Sequence, residues 1–357
     1  MVDRQHDHGH AAPAGANRGA SAGAADRSTG AVTMEAVARL AGVSPVTVSR
    51  SLNDPKKVSP ATLERVKNAI RITGYVPNQV AGALASRRSR LVAALVPAIT
   101  NVHHSSLLRS FIDVIRLSGY HVITSETNFS LEEEEALVSS LLARRPDGIL
   151  LVGVQHTAQC RRMLLSANVP VVESWELTET PIDFCVGFSN PRLGEAVALY
   201  AEERGYKHAA AVSAGDERAL QRTGTFLKTF ERRGLQPMPL ISFPESGSIR
   251  RGREALSSLL SDGFAQGVIF CSSDLIAHGI IIEAHARGLR VPEDVAVIGF
   301  GDLAFAPDIV PPLTSVRIDR DLLGVKAAEA LLTRIAGEEL PSRSVDIGFE
   351  IITRGSA

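Results

Sequence analysis

From Leu91 onward the chain alternates short apolar runs with longer amphipathic ones, and few folds accommodate that alternation. LVAALVPA (91–98), HVITSE (121–126), GILLVG (148–153) and VPVVESW (169–175) read as buried parallel strands. Between them LLRSFIDVIRLSG, EEEALVSSLLARR and QCRRMLLSAN have helical spacing. A second set follows: AAAVSA (209–214), PLISF (239–243), GVIFCSS (267–273) and VAVIGF (295–300), separated by helices such as LQRTGTFLKTFERRG. Two successive sets predict two doubly wound α/β lobes with a cleft between them. A final strand is expected at VDIGFEII (345–352). With 357 residues, 45% of them hydrophobic, the chain can fill more than one domain.

Upstream of this pattern, Thr33 to Asn53 reads as two short helices joined by a sharp turn. Thr33 caps the first helix, whose apolar face is Met34, Val37, Leu40 and Ala41. Gly42 breaks it, and Val43 is expected to be the buried residue of the turn. Ser44 caps a second helix with Pro45 at its first position, where a missing N–H costs nothing. That helix presents Val46, Thr47, Ser49, Arg50 and Asn53, the arrangement a helix-turn-helix needs to enter a major groove. Ser59-Pro60 opens a third helix with Leu63, Val66 and Ile70 on one face and a stop at Gly74.

Charge is distributed to match. Residues 31–90 carry ten basic against three acidic side chains, +7, so with a net charge of −1 the remainder is about −8. A basic module on an acidic body suits a nucleic-acid binder with a separate second task. Cys160, Cys185 and Cys271 are far apart with no C-x-x-C, which argues for buried thiols and against a disulfide frame or zinc site. His6, His8 and His10 read as part of a flexible tail, and His103-His104 has no ligand partner at metal spacing, so no metal and no cofactor is expected. No apolar run is long enough for a membrane span, and the Ala/Gly/Ser-rich residues 1–30 lack the core of a signal peptide. The expectation is a disordered tail on a cytoplasmic protein.

The helix-turn-helix together with YVPNQVAGALASRRSR (75–90) resembles the lactose-repressor (LacI) family of bacterial transcription regulators, and the resemblance runs from Thr33 to the end of the chain. It implies an all-α DNA-binding domain (31–76), a hinge helix and linker (77–90), and a two-lobed effector domain of the periplasmic-binding-protein type I fold (91–357). It also implies a homodimer on a pseudo-palindromic operator. The chain has no leucine-heptad tail, so a dimer is expected and not a tetramer. In the family the segment around Asn78 and Ala81 opens the hinge helix in the minor groove, and a leucine at the position of Leu84 wedges between base pairs. Asn78 to Ser86 is too short to be helical alone, so ordering is expected only on DNA. Arg87, Arg88 and Arg90 are expected to meet phosphates or extend a basic linker. By the same resemblance Pro45, Val46 and Arg50 read bases, Arg50 through paired bonds to guanine, while Thr47 and Ser49 contact phosphate.

Ligands in doubly wound sheets bind beyond the carboxyl ends of the strands. That rule selects Thr100 and Asn101 after the first strand, Trp175 after the fourth, and Asp274 after CSS, with Arg222 on the helix after AAAVSAG. Family members carry an arginine and an aspartate at the positions of Arg222 and Asp274. Asp274 would accept hydroxyl hydrogen bonds or cap a helix, Arg222 would grip two oxygens, and the indole would cover C–H groups. The stretches 172–190, 270–279, 298–306 and VDIGFEII most resemble the gluconate-responsive branch, which implies a sugar-acid effector and carbohydrate-catabolism targets. Another sugar, or control by a corepressor in place of an inducer, stays open.

Rival readings fare worse. Gly299 to Ala304 formally matches a dinucleotide motif of NAD-dependent oxidoreductases, but Pro307, Pro311 and Pro312 forbid the helix it needs. A pure sugar-binding protein would lack residues 33–90. The Glu132–Glu135 run is expected to be a solvated helix start, not an acid–base pair.

Overall fold

The computed structural model describes residues 32–76 and 88–357, in two units, one ending at Gln79 and the other beginning at Val80. The tail, the hinge and the expectations for Asn78, Ala81, Leu84 and Arg87 lie outside the described residues.

The smaller unit holds helices α1 (Met34–Ala41), α2 (Pro45–Asn53) and α3 (Pro60–Thr73). Each has the predicted hydroxyl cap: Thr33 accepts from Ala36 N, Ser44 from Thr47 N and Ser59 from Thr62 N. Gly42 and Gly74 end α1 and α3 in the left-handed conformation. The core is Val37, Ala38, Ala41, Val48, Val66, Ala69 and Tyr75. Two expectations shift. Leu40 is 52% exposed and Ala38 takes its inward place, while Val43 is only half-buried and Val48 is sealed.

In the larger unit, the first sheet runs β12-β5-β4-β3-β1-β2. Its strands are β1 (Leu91–Val96), β2 (His121–Glu126), β3 (Gly148–Val152), β4 (Val171–Glu176), β5 (Phe184–Phe188) and β12 (Ser344–Asp346). The second sheet runs β13-β11-β10-β9-β6-β7, with β8 also paired to β6. It comprises β6 (His208–Ala214), β7 (Gln236–Pro237), β8 (Ile241–Phe243), β9 (Gly267–Cys271), β10 (Val295–Phe300), β11 (Thr314–Arg317) and β13 (Glu350–Ile352). All pairs are parallel except β11 with β13. Central strands such as β3 and β10 are buried along their whole length because helices cover both faces, hence their unbroken apolar runs. Those helices are α4 (Val102–Leu117), α5 (Leu131–Leu142), α6 (Ala158–Ala167), α7 (Asn190–Glu203), α8 (Glu217–Arg232), α9 (Ile249–Ser261), α10 (Asp274–Ala286) and α11 (Arg320–Ile335).

The chain passes between the lobes more than once. After β5 it crosses to α7, which packs on α8; after β11 it returns as α11 against α4. The expected last strand, 345–352, is in fact two. β12 extends the first sheet from β5 and β13 extends the second from β11. The break is at Gly348, at φ +67°, whose N–H donates to Asp346 Oδ1 at 2.9 Å. β5 itself was not legible as a strand in the run from 172 to 190.

Candidate functional site

On the smaller unit, α2 presents Val46, 65% exposed, and Arg50, which has no side-chain partner among the described residues. The other polar groups of this face are partly engaged with one another. Ser44 Oγ and Thr47 Oγ1 are 3.0 Å apart, and Asn53 Nδ2 donates to Ser49 Oγ at 3.3 Å. At the two helix N-termini Thr33 Oγ1 accepts from Ala36 N at 3.4 Å and Ser44 Oγ from Thr47 N at 3.2 Å. Arg88, at the start of the larger unit, donates instead to Tyr120 Oη and the Ile335 carbonyl, both at 3.4 Å.

The larger unit has a cleft between its lobes where strand carboxyl ends converge. A cavity of about 420 Å³ is lined by Thr100, Asn101, His103, His104, Trp175, Arg222 and Phe300, among others. A second cavity of about 600 Å³ adjoins it and shares Phe129, Asp216 and Arg218. The order of each sheet reverses here, beside β1 in one and β6 in the other, where such folds bind ligands.

Arg222 is buried, with 6% of its surface exposed. Gly194 on α7 faces its backbone carbonyl so closely that a Cβ would overlap it, so glycine sets the approach of α7 to α8. The guanidinium lies 4.0 Å over the Phe300 ring and donates to Asn190 Oδ1 at 3.3 Å and the Ser272 carbonyl at 2.9 Å. Those partners are neutral, and no carboxylate pairs with Arg222 among the described residues. Burial lowers its pKa to about 10, so it remains a cation at neutral pH. Arg218, one helical turn earlier, lies 3.7 Å from Glu176 and 3.6 Å from Asp216. Burial raises the Glu176 pKa against the pull of Arg218. Around both arginines, Arg222 Nε, Arg218 Nη1, Glu176 Oε1 and Asn190 Nδ2 are buried with no hydrogen-bond partner among the described residues. Buried polar atoms left this way are costly, and several together mark a site completed by something else.

Trp175 forms the floor. Its ring centroid is 5.6 Å from His104 and Phe188 and 5.8 Å from His103. Its φ of +87° is a strained conformation for a residue with a side chain, a feature that collects at ligand sites. It lies within β4, not after it. Both histidines are neutral: burial first, then Arg320, takes His103 to about 3, and burial with Arg218 takes His104 to about 4. Arg320 can only donate, so His103 accepts at Nδ1, whereas His104 Nδ1 faces the Ala98 carbonyl at 3.1 Å and donates.

Asp274 differs from expectation. It is fully buried, does not line either cavity, and is not the cap of α10; Ser273 is. Its Oδ1 accepts from Ser315 Oγ and its Oδ2 from Leu303 N, each at 2.6 Å. Burial still raises its pKa to about 6. Its carboxylate thus holds the loop after β10 and reaches the cavity only through Leu303. The same loop carries the Gly299–Ala304 run, which enters turns and not a helix. Asn101 is also partly committed, since its Oδ1 caps α4 by accepting from His103 N at 2.9 Å. Arg218, Glu176, Asn190 and the two histidines were missed in the sequence. The i to i+4 spacing of Arg218 and Arg222 on one helix was the available signal for the first.

Comparison with known proteins follows the same division. A model described as "Bacterial regulatory proteins, lacI family" matches residues 33–78, and one for a periplasmic binding protein-like domain matches 198–357. The HTH-type transcriptional regulator GntR of Pseudomonas aeruginosa is 40% identical over 92% of this chain and 97% of that protein. A LacI-family regulator structure from Silicibacter pomeroyi has a TM-score of 0.86 at 28% identity, covering 91% of this chain and 99% of that one. The lac repressor dimer bound to operator and the anti-inducer ONPF has a TM-score of 0.79 at 25% identity, over 91% and 98% of the two chains.

Proposed function

This chain belongs to the LacI family of bacterial regulatory proteins, as a transcriptional repressor, and we propose that its effector is gluconate or a closely related sugar acid. Its targets on this reading are genes of carbohydrate catabolism, and its relatives' names are those of regulators, not enzymes. The observation that carries the effector assignment is the buried Arg222, a cation with only neutral partners, surrounded by orphaned polar atoms. An uncompensated buried charge is unfavourable, and a ligand carboxylate supplies its counter-ion. Several hydroxyls on the same molecule suit Glu176 and Asn190, while Trp175 covers its C–H groups. Arg218 is a second cation for the acid group. The name of the Pseudomonas relative, GntR, points the same way.

DNA is read by a pair of helix-turn-helix modules, with Pro45, Val46 and Arg50 at bases and Thr33, Ser44, Thr47, Ser49 and Asn53 near phosphates. Asn78, Ala81 and Leu84 of each hinge occupy the central minor groove, with Arg87 and Arg88 beside it. Ligand in the cleft shifts the equilibrium toward the released state by its differential affinity, typically about 1–3 kcal/mol.

Trp175 is the only tryptophan, so its fluorescence reports on the cavity directly. Gluconate should give a saturable change and release operator DNA, and glucose should do neither. Arg222→Ala should weaken the gluconate response roughly 30-fold or more while leaving operator binding intact. An equal response to glucose, or a variant that still releases DNA at the usual gluconate concentration, would overturn the sugar-acid reading. Tighter operator binding with gluconate would make the ligand a corepressor.

A further inference from the structure

On the first lobe's side of the cleft, four side chains that the effector site does not use meet in the interior. Glu134 is in the first turn of α5, His156 in the loop after β3, Cys160 in the first turn of α6, and Glu173 on β4. Glu134 was expected to be solvated with the rest of the Glu132–Glu135 run. It is buried, because Glu134, Val138 and Leu141 fall on the inward face of α5. His156 Nδ1 is 2.6 Å from Glu134 Oε1, and its Nε2 is 3.2 Å from Glu173 Oε1. Cys160 Sγ is 3.6 Å from the same Glu134 oxygen. Glu173 is fixed in turn, its Oε2 accepting from Ile182 N at 2.6 Å.

We propose that Glu134, His156 and Cys160 bind a divalent transition-metal ion of the zinc type, with Glu173 orienting the histidine. One oxygen, one imidazole nitrogen and one sulfur, all within 4.8 Å of one another, are the donor types such an ion selects. Metal–ligand bonds of about 2.0–2.3 Å in a tetrahedron put neighbouring donor atoms roughly 3–4 Å apart. The Glu134–Cys160 pair already has that spacing, and the Glu134–His156 pair needs to open by less than about 1 Å. A carboxylate on the far nitrogen of a ligating histidine is the usual support of such sites. Glu134 also lines the larger cavity, the side from which an ion would enter.

Coordination needs the free electron pair of His156 Nδ1 and the Cys160 thiolate, so a divalent ion displaces the protons on those atoms and metal affinity falls as pH falls. The sequence excluded zinc for want of a C-x-x-C pair. The ligands come instead from three separate segments.

The test is a Co(II) titration of the full-length protein with His6, His8 and His10 replaced by alanine, so that the tail cannot bind. One equivalent should produce a near-ultraviolet thiolate-to-cobalt charge-transfer band, reversed by Zn(II). Cys160→Ser should abolish the band, Cys185→Ser should retain it, and Glu173→Gln should weaken cobalt binding about 10- to 100-fold. A spectroscopically silent protein, or a band that survives Cys160→Ser, would overturn the site. Unchanged affinity in Glu173→Gln would remove the orienting role.

Discussion

Among the described residues of the helical unit no charged side chain is buried, and a few small apolar residues hold three helices together. The α/β unit, by contrast, buries Arg222, Asp274, Glu134 and Glu173 within or behind its cleft. The first unit therefore presents its chemistry outward on one helix and needs its core only as a scaffold. The second surrounds its chemistry, so the same groups must be partnered by neighbours or by a ligand. Recognition of a long polyanion such as DNA suits the former. Capture of a small polar molecule, with water excluded, suits the latter.

Acid titration should separate the two units most strongly. His103 and His104 are held at about 3 and 4 in the folded unit against 6.5 when free. Below pH 6.5 the unfolded chain binds protons that the folded chain refuses, so their contribution to stability is complete above 6.5 and is lost as pH falls. Asp274, raised to about 6, works the other way. Replacing both histidines with glutamine should therefore flatten the fall in stability of the α/β unit between pH 6.5 and 5, an effect on the order of several kcal/mol for the pair. Residues 32–76 contain no histidine, so the melting of that unit should not change. Parallel wild-type and variant profiles would show that the two rings are solvated and the contrast is wrong.

A smaller effect is expected from Arg50→Ala, about 1–3 kcal/mol of specific operator affinity, with effector fluorescence unchanged. Equal losses on specific and random DNA would demote Arg50 from a base contact to a phosphate contact. Smallest is Ser44→Ala, which removes the α2 cap and should cost the helical unit about 1 kcal/mol by denaturant melting. If it also changed gluconate affinity, the two units would not be separable in this way.

Where the sequence succeeded, the governing interactions are local. Thr33, Ser44 and Ser59 each cap a helix three residues on, Gly42 and Gly74 end helices by their own conformation, and the runs at 148–152 and 295–300 declare strands buried on both faces. Trp175, Thr100 and Asn101 could be selected as cavity residues because strand ends fix where a doubly wound sheet binds, whereas Arg222, inside a helix, was put forward by the family resemblance. What only the tertiary structure decided depends on which distant segments meet. Residues 345–352 serve two sheets because the chain changes lobes at Gly348. Asp274 is occupied by Ser315 and Leu303, and Arg222 is left without a carboxylate. Glu134, His156 and Cys160 converge although nothing in their spacing announces it. Caps and periodicity act over three or four residues and are written in the chain. The partner of a buried charge is set by packing between elements, and that is settled only when the fold closes around it.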